Sequence, residues 1–266
     1  MTPEDHREAA RRLDEAERTR RQIRMISLGR PDMTMADAYA IQRQWLALKL
    51  ARGRKLVGHK IGLTSKAMRA AVGIDEPDSG FLLDDMAFPD GGTVFAERFI
   101  GLRVEAELAF VLNAPLSGPG CGIDDVLDAT DFVTPALEIL DTRIFRVDPE
   151  SGSTRSVLDT ISDNAANAGV VLGGRRIAPR GTDLRWIGAI CAKNGEIEET
   201  GLAAGVLDHP ARGVAWLADR MSEQSQSLQA GEIVLAGSFI RPIEVAKGDR
   251  IVADYGPYGS VSIAFV

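Results

Sequence analysis

Histidine is scarce in this sequence: His6, His59 and His209 are the only three, and no two share the spacing of metal ligands. This argues against a zinc centre built on imidazoles. Cysteine is rarer still. Cys121 and Cys191 stand far apart with no pairing pattern around them, so they read as small buried apolar residues of a reducing compartment rather than a disulfide framework. No stretch approaches the ~20 apolar residues of a membrane span. The opening run MTPEDHREAA lacks the apolar segment of a signal peptide, and a cytoplasmic protein is expected. Surplus positive charge is missing too. Lys and Arg number 31 against 38 Asp and Glu, a net −7, which is the wrong sign for displacing counterions from nucleic acid. Walker loops, G-x-S-x-G elbows and dinucleotide fingerprints are absent. The rest is an ordinary globular composition, with no repeat or low-complexity tract and enough length for one sizeable domain or two small ones.

The first fifty residues read as helical. Thr2, Pro3 and Asp5 form an N-cap, an N1 proline and an acidic first turn, and residues 5–25 are rich in Glu, Arg and Ala, the pattern of a solvated face. A second helix is predicted from Thr34, with Asp37 in the capping-box position, Ala38, Ile41, Trp45 and Leu48 as its apolar stripe, and Gly53 after its end. Beyond it the texture becomes strands and turns. Val104, Ala106, Leu108 and Phe110 alternate with Arg103, Glu105 and Glu107, predicting a half-buried strand. Asn194-Gly195 predicts a hairpin, three further strands are expected near 232–236, 250–254 and 261–266, and Pro210 opens a helix between them. The expected organisation is an N-terminal helical segment, 1–55, packed on a β-rich catalytic domain, 56–266.

Glu105 and Glu107 share one face of their strand, ~7 Å apart, so both can reach one cation. Glu138 lies in the otherwise apolar run 135–141 (PALEILD), where a carboxylate is costly unless its charge is paired. The partner is either a hard, oxygen-loving cation such as Mg²⁺ or Mn²⁺, or an arginine such as Arg143; spacing leaves both readings open. Lys60 sits in 58–65 (GHKIGLTS), where desolvation can lower its pKa for acid–base work, unless its ammonium reaches solvent. Asp78 falls in 76–80 (EPDSG), a turn by composition that it could simply cap.

Together, in this order, 58–65, 76–80, 103–110 (RVEAELAF), 135–141 and 162–168 (SDNAANA) resemble the hydratase/decarboxylase branch of the fumarylacetoacetate hydrolase superfamily, from about residue 35 to the C-terminus. The resemblance implies an α+β fold, a mixed β-sandwich roll with N-terminal and peripheral helices. It implies a Mg²⁺ or Mn²⁺ site on Glu105, Glu107 and Glu138, catalytic roles for Lys60 and Asp78, and substrate contacts from His59, Ser162 and Ser238. The implied activity is metal-dependent water addition to 2-hydroxyhepta-2,4-diene-1,7-dioate in aromatic meta-cleavage. The alternatives are a sister decarboxylase of 2-oxo-3-enedioates, a five-carbon 2-hydroxypenta-2,4-dienoate hydratase, or a scaffold subunit. His59, Arg143 and Arg146 are the cations considered for the distal carboxylate. Homo-oligomers (decamers built from dimers) and association with a sister decarboxylase are also implied, and neither nucleic acid nor membrane. Ile240 departs from the pattern, standing where relatives often carry a threonine.

Overall fold

The computed structural model describes residues 1–66, 69, 70 and 73–266. Helix α1 (Pro3–Thr19) starts at a capping box: Thr2 Oγ1 accepts from the Asp5 N–H at 3.2 Å, and Asp5 Oδ2 accepts from the Thr2 N–H at 2.8 Å. It stops short of residue 25. Arg20 turns left-handed, with φ 54°. Ile23 then joins Ile144 in a β-bridge, donating to Arg143 O at 2.8 Å and accepting from the Phe145 N–H at 3.1 Å. This bridge carries Ile23 and Met25 into the apolar cluster that α1 buries. Helix α2 (Met35–Ala51) uses the Thr34–Asp37 box and buries Ala38, Ile41 and Trp45 completely.

The strands follow as β1 (Leu56–Gly62), β2 (Asp78–Leu83), β3 (Ala87–Phe88), β4 (Gly92–Val94) and β5 (Arg103–Leu112). After helix α3 (Ile123–Asp128) come β6 (Thr130–Leu140), helix α4 (Val157–Ser162), β7 (Asn167–Leu172), β8 (Gly188–Lys193) and β9 (Glu196–Leu202). Helix α5 (Pro210–Ser222) precedes β10 (Ile233–Ser238), β11 (Ile243–Glu244), β12 (Arg250–Asp254) and β13 (Ser260–Phe265). One mixed sheet has the order β2-β1-β10-β5-β6-β7-β3, with β11 also on β5. A second runs β4-β13-β12-β8-β9.

The first sheet does not lie flat. Strands ~4.8 Å apart would hold β1 and β6 ~14 Å from one another, yet Lys60 Nζ on β1 lies 3.4 Å from Glu138 Oε1 on β6. The sheet curls into a roll, and Asn164, just before β7, closes it. Its Oδ1 accepts from the Phe81 N–H at 2.7 Å and its Nδ2 donates to Phe81 O at 3.0 Å, so one side chain stands in for a neighbouring strand. Gly80 permits this approach, since a Cβ there would meet Asn164 O at 2.5 Å.

Curling also buries both faces of β5, where alternation alone predicted one. Val104, Ala106, Leu108 and Phe110 pack outward against Ile251, Ala253, Val261, Ile263 and Phe265 of the second sheet. Inside the roll, Leu82, Ala109, Ala136, Val170 and Leu235 form a small apolar plug. Ala109 follows Glu107 by two residues and Ala136 precedes Glu138 by two, so the carboxylates share the plug's face and stand above it. On the outside, α1 and α2 cover Phe81 and Leu83 of β2. Among the described residues no helix is long and apolar enough to cross a membrane.

Candidate active site

Glu105 and Glu138 are direct cross-strand partners on β5 and β6, and Glu107 faces Ala136 one step along. One oxygen from each of the three glutamates lies within 4.8 Å of the others. Glu107 and Glu138 are fully buried. Glu107 Oε2 accepts the Gly237 N–H at 2.8 Å, and Glu138 Oε1 accepts from Asn167 Nδ2 at 2.6 Å. Their other oxygens, Glu107 Oε1 and Glu138 Oε2, are buried with no hydrogen-bond partner, as are Asp78 Oδ1 and Asn167 Oδ1. Orphaned acceptors of this kind are rare because each costs its full desolvation. An all-oxygen set that lacks donors fits a hard divalent cation.

Electrostatics agree with an unfilled demand for positive charge. Burial, and then repulsion from Glu138, raises the Glu105 carboxyl from 4.5 to about 8. Burial and the charges of Glu138 and Glu105 push Glu107 well above the carboxylate range. Lys60 is almost completely buried, so it does not reach solvent, and its pKa is not depressed. Burial works against the ammonium, but Glu138, Asp78, Glu105 and Glu107 outweigh it and raise the pKa. Asp78 is raised too, by burial first and the Glu138 charge, with Lys60 opposing. Asp78 does not cap a turn: it opens strand β2 opposite Gly62 on β1. A Cβ on Gly62 would stand 2.2 Å from Asp78 Oδ1 and 3.0 Å from Lys60 Nζ, so this glycine leaves open the space that both side chains border.

The remaining expected residues divide. Ser238 is in register with Glu107, its Oγ donating to Ile240 O at 2.8 Å and accepting from the Ile240 N–H at 3.2 Å. Ile240 thus keeps Ser238 in place through its backbone, whatever its side chain. Ser162 ends α4 fully buried, its Oγ donating to Leu158 O at 2.8 Å. His59 is not brought to the carboxylates. It alternates with Lys60 on β1 and points to the other side, into a cavity of about 400 Å³ with Tyr39, Gln42 and Glu232; its Nε2 is 3.7 Å from Glu232 Oε2. Burial lowers its pKa to about 4, leaving a neutral imidazole. Arg143 does not pair with Glu138 either. It is buried on Asp163, with its guanidinium 5.1 Å from the Trp45 ring centre. Residue patterns missed Asn167, whose only signal was a polar run before an apolar strand. They also missed the Gly237 amide, aimed at Glu107 by a bulge between Leu235 and Ser238 where Gly237 has φ 117°.

A curled mixed sheet that closes around three convergent glutamates and a buried Lys–Asp pair is the arrangement of a metal-dependent enzyme acting on oxygen-rich small molecules. The chain belongs to the family of 2-oxo-hept-4-ene-1,7-dioate hydratases, 4-oxalocrotonate decarboxylases and 2-keto-4-pentenoate hydratases. It is 59% identical over 261 residues to the 2-oxo-hept-4-ene-1,7-dioate hydratase of Escherichia coli, covering 98% of each chain. It superposes on the 4-oxalocrotonate decarboxylase of Pseudomonas putida G7, complexed with magnesium and adipate, with a TM-score of 0.94 at 38% identity over 100% of this chain and 99% of that one. The fumarylpyruvate hydrolase of Pseudomonas aeruginosa shares the fold at a TM-score of 0.58 and 16% identity, over 78% of this chain and 88% of that one. No family model matches the chain.

Proposed function

We propose that the chain is a hydro-lyase that adds water to 2-hydroxyhepta-2,4-diene-1,7-dioate, giving 4-hydroxy-2-oxoheptanedioate. The observation that carries this reading is the convergence of Glu105, Glu107 and Glu138, with orphaned buried oxygens, beside Lys60 and Asp78. Identity to a hydratase along nearly the whole chain supports the reaction and the substrate class. The three glutamates would hold Mg²⁺ or Mn²⁺. When bound, the cation supplies a Lewis acid for the negative charge that gathers on the substrate's 2-oxygen.

The reaction needs four proton movements. One proton leaves the 2-hydroxyl and one arrives at C5, which conjugates a C3–C4 double bond with the new 2-oxo group. Water then adds at C4, losing a proton, and a proton is delivered to C3. Lys60 and Asp78 share these transfers, being the two titratable groups that border the space left by Gly62 beside the glutamates. Asn167 and the Gly237 amide fix the glutamates through one oxygen each, leaving the others free to bind.

The test follows dienol absorbance for seven- and five-carbon substrates, with Mg²⁺ and with chelator, while carbon dioxide is monitored. Metal-dependent loss of the seven-carbon dienol without gas is expected, and carbon dioxide release would make the chain a decarboxylase. Lys60→Met should keep Mg²⁺ binding by calorimetry yet lose about 10²–10⁴ in turnover; unimpaired turnover removes Lys60 from the chemistry. Homo-oligomers and association with a sister decarboxylase belong to the same proposal, and sedimentation of the chain alone and mixed with such a decarboxylase measures both.

A further inference from the structure

Three arginines gather beside the glutamates. Arg103 opens β5 two residues before Glu105, on the same face. It pairs in register with Leu140, the last residue of β6, so it sits where the chain leaves the roll toward Arg146. Arg146 and Arg155 are then brought side by side: the Arg155 N–H donates to Arg146 O at 2.9 Å, and Val147 bridges Thr154 beyond them.

These guanidiniums have few partners. Arg103 Nη2 pairs with the largely exposed Glu244 at 2.5 Å, but its Nε is buried without an acceptor. Arg155 Nη1 donates to Thr142 Oγ1. Among the described residues the Arg146 guanidinium, half-buried, makes no hydrogen bond or ion pair within the chain. Like charges held together with donors to spare are an anion site in waiting. The charges report the same proximity: burial first, and then Arg103 and Arg155, lower Arg146 to about 10. Arg103 shares its strand face with Glu105, which places the cluster at the edge of the glutamate site.

We propose that Arg103, Arg146 and Arg155 form the subsite for the substrate's distal carboxylate and select a dicarboxylate over a five-carbon monocarboxylate. The inference rests on the dienoate-hydratase reading and adds the group that chooses chain length. Its geometry is simple. Six carbon–carbon bonds in an extended chain, at the ~1.2 Å of advance per bond found in an extended backbone, span ~7 Å. Two residues along a strand, from Glu105 back to Arg103, also span ~7 Å. A dioate with its first carboxylate at the glutamates therefore places its last among the arginines. A five-carbon monoacid offers nothing there.

The experiment compares wild type with Arg146→Gln and Arg146→Lys, chosen because Arg146 has no partner within the chain to lose. The ratio of kcat/KM for the seven-carbon dienedioate to that for the five-carbon dienoate should fall about ten- to hundredfold in Arg146→Gln, the worth of a charge-assisted contact. Arg146→Lys should recover part of the loss. A parallel arm measures Mg²⁺-dependent binding of 2-oxoheptanedioate and 2-oxopentanoate by calorimetry, with no turnover required. Loss of the dicarboxylate preference there upholds the subsite even if the reaction proves to be something other than hydration. An unchanged ratio and unchanged binding preference in a folded Arg146→Gln overturn it.

Discussion

Replacing Glu105 by glutamine should make the metal-free protein more stable and the metal-loaded protein less stabilised by its metal. Inside the roll one ammonium, Lys60, faces four carboxylates, Asp78, Glu105, Glu107 and Glu138. When no cation is present, each ionised glutamate beyond the first raises the free energy of the folded state. The Glu105 carboxyl keeps its proton up to about 8 when folded, against 4.5 in its ordinary state. Folded protein thus binds more protons than unfolded protein between those values, and metal-free stability falls as pH rises from 4.5 through about 8. At 1.36 kcal/mol per tenfold, a shift of that size corresponds to about 5 kcal/mol. Glu107 and Glu138 share the same repulsion and Glu105 keeps part of its surface at the mouth of the site, so about 2–4 kcal/mol is expected at pH 8. For a chain of this length that is a rise of roughly 5–15 °C in Tm. Thermal unfolding of both proteins at pH 6 and pH 8, in chelator and in excess Mg²⁺, measures it. In chelator the glutamine variant should overtake wild type as pH rises. In Mg²⁺ the large upward shift of wild type should shrink in the variant. A variant less stable than wild type in chelator at pH 8 would show that Glu105 is paired within the protein, and the cation argument would fail with it.

Two other perturbations isolate the neighbouring parts. Gly62→Ala puts a methyl 2.2 Å from Asp78 Oδ1 and should cut turnover by about 10²-fold while Mg²⁺ titration stays close to wild type, since the glutamates are untouched; full turnover would mean that the reaction does not need the space between Lys60 and Asp78. Asn164→Ala removes both hydrogen bonds to Phe81 and puts alanine at φ 55°, so unfolding in urea should show a loss of about 2–5 kcal/mol, and an unmoved midpoint would show that the roll closes without this clamp.

Local chemistry was legible and long-range closure was not. Both N-terminal capping boxes stand where Thr2–Asp5 and Thr34–Asp37 place them, and Asn194 and Gly195 take the two positive φ angles, 56° and 90°, that a tight hairpin requires. These signals span two to four residues, and nothing distant competes with them. The end of α1 was misread because Ile144, more than a hundred residues away, takes Ile23 into a bridge. Asp78 looked like a turn residue because Pro77 precedes it. Proline is tolerated just before a strand, and the neighbouring β1 recruits the residues that follow. The triad was visible as spacing, but spacing is silent about burial. Only the curl of the sheet turns Glu107 and Glu138 from half-buried residues into fully buried ones. His59 shows the reverse error: it is adjacent in sequence to Lys60, and for that reason a strand sends it to the opposite side.

The roll's interior explains why this cluster persists in a folded protein. Its plug, Leu82, Ala109, Ala136, Val170 and Leu235, shows that the same face of β5 and β6 can be filled with apolar side chains. Two residues further along, the same strands carry glutamates that would pack better and cost less as apolar residues of similar size. Stability alone therefore does not account for them. Nor does a salt bridge, because Lys60 offers one positive charge to four carboxylates and four acceptor atoms there still lack a donor. An arginine could have balanced Glu138, yet among the described residues Glu138 pairs with Lys60 alone, Arg143 is committed to Asp163, and Arg103, Arg146 and Arg155 make no ion pair with Glu105, Glu107 or Glu138. A divalent cation on Glu105, Glu107 and Glu138, as proposed above, would satisfy the set. With a cation held there, the same deficit of positive charge would serve both the binding of an anionic substrate and the stabilisation of its developing negative oxygen.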